Sequence, residues 1–149
     1  MRLCTLLVMI SSFLMSQEIN IHEIRKNYQK AVYDKELCKE MISKFEKNEN
    51  HGINLAYFGA FQSIWAKHSN NLIQKLKSFN KGKDNIDKAI KQQPDQLESR
   101  LIRYSIQKES PGFLGYKKNI SEDQNYLQAN IDDIKEPLLK EMIIQILKK

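Results

Sequence analysis

Between Ile53 and His68 the chain reads INLAYFGAFQSIWAKH, and Ile53, Leu55, Ala56, Tyr57, Phe58, Ala60, Phe61, Ile64 and Trp65 cover most of the circumference of a helix placed there. A helix apolar nearly all round must be covered on several sides. This segment therefore belongs at the centre, with Trp65 in the core, and the remaining elements have to wrap it. With five Gly and three Pro in 149 residues, and no period-2 run of Val, Thr or aromatics bounded by turn residues, those elements are helices as well. The expected class is all-α, in one domain long enough to bury a real core.

The wrapping helices follow from their apolar spacing. Ile21, Ile24, Tyr28, Ala31 and Val32 predict a helix over about 20–33, and Leu37, Met41, Ile42 and Phe45 predict its hairpin partner over about 35–48. After the central helix, Leu72, Ile73, Leu76, Phe79, Ile86 and Ile90 form one stripe of a long helix that Pro94 ends. Gly82 either interrupts that helix or leaves Lys83 on its apolar stripe. Leu97, Leu101, Ile102, Tyr104 and Ile106 carry the next helix to about Glu109, where Ser110-Pro111-Gly112 stops it. Asn119 and Glu122 have capping-box spacing for a helix to about Ala129. Leu138, Leu139, Met142, Ile143, Ile146 and Leu147 make the apolar face of the last, which gives about seven helices in pairs.

Residues 1–16 have the layout of a secretory leader: Met1-Arg2, an apolar run from Leu3 to Met15 too short for a stable membrane span, and Ser16 at the cut. The expected product is residues 17–149, exported to the periplasm or secreted, with no transmembrane span. Cys4 leaves with the leader, and Cys38, on the apolar face of its helix, is expected to be a buried, inert thiol.

The net charge is unevenly distributed. Residues 17–66 carry seven basic and seven acidic groups and residues 92–149 carry nine of each, so apart from Arg2 the whole excess lies in Lys67–Lys91, seven lysines against Asp84 and Asp87. At 100° per residue, Lys77, Lys81 and Lys88 fall within about 40° of one another, opposite the apolar stripe. That ridge is either a solvated face or a binding surface for anionic envelope polymer, lipid head groups or an acidic protein. No aromatics interleave with the lysines, which together with export argues against nucleic acid. The corner FLGY, Phe113 to Tyr116, allows two readings. Phe113, Leu114 and Tyr116 pack back onto the helix ends, with Gly112 and Gly115 supplying backbone freedom, which is the favoured reading. Otherwise Phe113, Tyr116, Lys117 and Lys118 form a recognition loop. No hydrolase, metalloprotease or phosphate-loop motif occurs, and the histidines His22, His51 and His68 form no metal half-site, so neither catalysis nor a metal or other cofactor is expected.

Gly82, Ile86, Ala89, Ile90 and Pro94 resemble the second-helix pattern of a tetratricopeptide repeat, in which a small residue admits a neighbouring helix; Asn70 stands where that pattern puts the small residue of the first helix. The string PDQLESRLIRYSIQKESPGFLGYKKNISED, together with AYFGAFQSIWAKHS and the leader, resembles a family of small exported bacterial helical proteins. That resemblance implies helices and export, and no reaction. The expected function is a non-enzymatic, exported protein-interaction module that holds a partner segment on helix-pair surfaces. Binding of an anionic polymer or lipid surface by Lys77, Lys81 and Lys88 is the alternative. The chain isolated from its source is expected to begin at Gln17. Intact-mass measurement finding Met1 retained, or failure of a chain begun at Gln17 to fold, would count against the leader.

Overall fold

The computed structural model describes residues 19–149. The expectations for the leader, for Cys4 and for a start at Gln17 lie outside the described residues. Those residues form seven α-helices and no strand: α1 Ile21–Ala31, α2 Lys35–Glu46, α3 Gly52–His68, α4 Leu72–Gln92, α5 Leu97–Glu109, α6 Ile120–Asn130 and α7 Pro137–Lys148. Among them no helix is long and apolar enough to cross a membrane.

The all-round apolar segment is the central helix. From Gly52 to Ala66 no residue of α3 is exposed, and α1, α2, α4 and α5 all pack on it. Tyr57 and Phe61 are fully buried, and Tyr28 of α1 meets both rings edge-on while Phe45 of α2 packs against Phe61. Trp65 corrects the expectation. It is only partly buried, packed against the core on one side and with the Lys35 amine 5.7 Å from its ring centre on another, because it lies in the last turns of α3 where the covering helices end. Cys38 is fully buried, donates its thiol to the carbonyl of Phe61, and is pushed by burial up to about 12.

Helix starts follow the expected chemistry. Asn20, Asp34 and Asn71 each accept a backbone N–H in the first turn of α1, α2 and α4, and Glu136 does so for α7 with Pro137 in its first turn. Two starts depart from this: His51 before α3, which makes no side-chain cap bond, and Asn119 before α6. The Asn119 side chain makes no cap bond and instead donates to Glu122 Oε2 at 2.9 Å, so the predicted capping box is absent although α6 starts where expected.

The closest helix pair is α3 with α4, and glycine is the reason. A Cβ on Gly59 would lie 2.4 Å from the carbonyl oxygen of Gly82, and one on Gly82 would lie 2.4 Å from that of Gly59 and 2.3 Å from Ser63 Oγ. The residue that meets Gly82 is thus Gly59, not Asn70. α4 runs through Gly82 without interruption, which leaves Lys83 half-buried with its amine 6.0 Å from the Tyr116 ring centre. In an open helix Gly→Ala gains about 1 kcal/mol. Here the added methyl meets backbone, so Gly59→Ala and Gly82→Ala are each expected to lower stability by on the order of 2 kcal/mol in a denaturant melt. Gly112→Ala, with nothing within 4 Å of its Cβ, is the matched control and should be near neutral.

Candidate functional site: an apolar groove at one end of the helix bundle

The odd-numbered helices are joined at one end by charge. Arg25 of α1 donates from Nε and Nη2 to the two carboxylate oxygens of Glu98 at the start of α5, both at 2.7 Å, and Tyr57 of α3 donates to Glu98 Oε1 at 2.6 Å. Glu98 is 3% exposed. Arg25 Nη1 also reaches Glu136, the residue capping α7, at 3.3 Å. The hydrogen bonds and charge of Glu98 hold the Arg25 guanidinium above its ordinary range, while burial and the Glu98 carboxylate push the Tyr57 hydroxyl well up. A second buried pair, Arg103 with Asp123, joins α5 to α6 by two bonds of 2.6 and 2.7 Å.

At the other end, the C-terminal parts of α1, α3, α5 and α7 and the first turns of α4 surround a half-open groove of about 790 Å³. Its apolar lining includes Tyr28, Val32, Ile64, Phe79, Ile106 and Met142. Around its mouth stand Tyr33, Leu72, Leu76 and Phe113, which are four of the five large hydrophobic side chains exposed on the described protein; Ile73 is the fifth. Leu72, Ile73 and Leu76 continue the stripe that buries Phe79, Ile86 and Ile90, but the first turns of α4 extend beyond the helices that would cover them.

The FLGY corner divides between the two readings. Gly112–Leu114 forms a single 3-10 turn, and Gly115 takes a left-handed φ of 64° that lets the chain reverse. Tyr116 then turns inward: it is buried, edge-on to Phe79 at 6.0 Å, and donates to Asp87 at 2.8 Å. It is a packing residue and not an available contact. Burial and the Asp87 carboxylate push its hydroxyl far above its ordinary range. Phe113 is 82% exposed and lies on the groove, so the expectation that it pins the corner is overturned. The reason is the left-handed Gly115: residues three apart would share a side if the 3-10 turn continued, and the reversal at Gly115 ends it, so that Tyr116 faces inward while Phe113 stays on the open side. Leu114 lies between, partly buried on the core.

Lys77, Lys81 and Lys88 are exposed along α4, as are Lys117 and Lys118 after the corner, and none has an ion partner among the described residues. None of the five lines the groove. Leu72, Leu76 and Tyr33 were not singled out from sequence as site residues, since a stripe that continues into solvent has the same spacing as one that is covered. Among the described residues no three His, Cys, Asp or Glu side chains come together as a metal site. No known family, no curated protein and no solved structure matches this chain.

The two aromatics of the corner should therefore behave oppositely. Phe113→Ala should leave stability within about half a kcal/mol, as exposed substitutions do, whereas Tyr116→Ala should cost on the order of 3 kcal/mol. Denaturant melts of the two variants check the division.

Proposed function

We propose that the protein is a non-enzymatic, exported interaction module whose apolar groove holds a segment of a partner protein. The observation that carries this reading is the gathering of Tyr33, Leu72, Leu76 and Phe113 around one concave surface. Single exposed apolar side chains need no explanation, but a contiguous set rimming a groove is what binding sites leave uncovered. The helix pair α3 and α4, packed through Gly59 and Gly82, supports a helix-hairpin scaffold with the groove built between helix ends, and the tetratricopeptide-like reading of it rests on the Gly82, Ile86, Ala89, Ile90 and Pro94 pattern alone. The alternative is attachment to an anionic polymer or lipid surface through the exposed Lys77, Lys81 and Lys88.

The two readings separate by residue and by salt. The anionic dye 1-anilinonaphthalene-8-sulfonate should fluoresce with the folded wild-type protein, and Leu76→Lys with Phe113→Ser should abolish the signal while the melt is kept. The same pair should prevent capture of the envelope partner, whereas Lys77→Glu, Lys81→Glu and Lys88→Glu together should not, and the complex should survive rising ionic strength. A complex that dissolves as salt rises and is lost in the ridge variant would instead establish the anionic-surface reading.

A further inference from the structure

Building on the groove reading, we infer that the groove's occupant is an amphipathic helix with acidic residues flanking its apolar stripe. Two independent features of the walls select it. The first is charge. The ionisable side chains lining the groove besides its tyrosines are Lys67, Lys75, Lys149 and Glu109. Glu109 already accepts from Lys149 at 2.6 Å, so Lys67 and Lys75 remain without an ion partner among the described residues, Lys67 with its amine 5.2 Å from the Tyr33 ring centre. The helix carbonyl ends that converge on the groove lean the field the other way, yet three of them are already met: Ala31 O by His68 Nε2, Ile106 O by Ser110 Oγ and Ile146 O by Lys108 Nζ. Two full unpaired cations beside an apolar surface favour a partner that brings carboxylates to its rim.

The second feature is backbone. Every long wall of the groove is a helix, whose N–H and C=O groups are spent within it, and no sheet edge occurs among the described residues. An extended segment laid in this groove would bury its own backbone groups against apolar side chains with nothing to receive them. A helix carries its backbone bonds with it and presents side chains at i, i+3, i+4 and i+7 to a groove of this kind. A second copy of this chain is a poorer occupant, because its net charge of +6 would meet cations at the rim.

The test uses three fluorescein-labelled peptides of about 16 residues: one with a Leu/Phe stripe at helical spacing flanked by Glu, one with the same stripe flanked by Lys, and one with the composition of the first rearranged to alternate apolar and polar. Anisotropy titration should show the Glu-flanked helix binding about tenfold tighter than the Lys-flanked one, as a reversal of two surface ion pairs implies, and the alternating peptide not binding. Lys67→Gln and Lys75→Gln, which leave the apolar walls untouched, should each shrink the Glu-over-Lys preference, and the two together should remove it. Equal binding of the two helices to wild type would overturn the acidic preference while leaving the groove reading intact. Tighter binding of the alternating peptide would overturn the helix. Binding of none of the peptides, with the dye still fluorescing, would overturn the peptide occupant, and displacement of bound peptide by sub-stoichiometric oleate would assign the groove to an acyl chain.

Discussion

The bidentate contact of Arg25 with Glu98 is the interaction on which the remaining geometry depends. Through it and its two satellites, Tyr57 and Glu136, one buried carboxylate touches or reaches α1, α3, α5 and the cap of α7. Exchanging such a pair for apolar residues is often neutral or stabilising, but removing one partner costs roughly 3 to 5 kcal/mol because a buried charge is left uncompensated. Its contribution is therefore less to net stability than to arrangement: α1, α3 and α5 cannot slide past one another without separating Glu98 from its donors, nor α7 without separating Glu136 from Arg25. The groove sits at the opposite ends of the same helices. Fixing their starts fixes how far their ends stand apart.

The Gly59–Gly82 contact fixes the fifth wall. Backbone against backbone leaves α4 no freedom to approach α3 more closely or to rotate, and this decides which residues of α4's first turns overhang the groove. Leu72, Leu76 and Phe79 share one stripe, yet Phe79 is 6% exposed and Leu72 67%. The difference is where along α4 the neighbouring helices stop.

Helix number, the central place of α3 and the burial of Cys38 could all be read from apolar spacing, because those features depend on local periodicity. The features that escaped depend on pairs distant in sequence. Arg25 and Glu98 are 73 residues apart, and each on its own looks like one of many surface charges on an amphipathic helix. A signal was present nonetheless: Glu98 lies three and four residues before Leu101 and Ile102, and Asp123 lies between Ile120 and Leu127, so both are carboxylates placed on apolar stripes. Such a position demands a buried donor. Gly59 escaped because the tetratricopeptide pattern puts the small residue of the first helix at Asn70, eleven residues later, whereas α3 and α4 are longer than that pattern allows. Trp65 and Phe113 escaped for a third reason: composition says that a large aromatic should be covered, but only the ends of neighbouring helices say whether anything reaches it.

Under the proposed groove reading, the division within FLGY combines the packed corner and the recognition loop, each carried by a different aromatic. Tyr116, held by Phe79 and Asp87, anchors the corner to α4, and the anchor lies three residues from Phe113. An exposed aromatic on a mobile loop would have to be ordered when a partner arrives, at a cost of about 0.5 to 1.5 kcal/mol for the side chain and more for the backbone. Phe113 stands on a one-turn helix whose exit is set by a left-handed glycine and a buried tyrosine, so most of that ordering is complete before binding. Under the proposed groove reading, the buried Tyr116 is what holds the exposed Phe113 in place at the groove before a partner arrives.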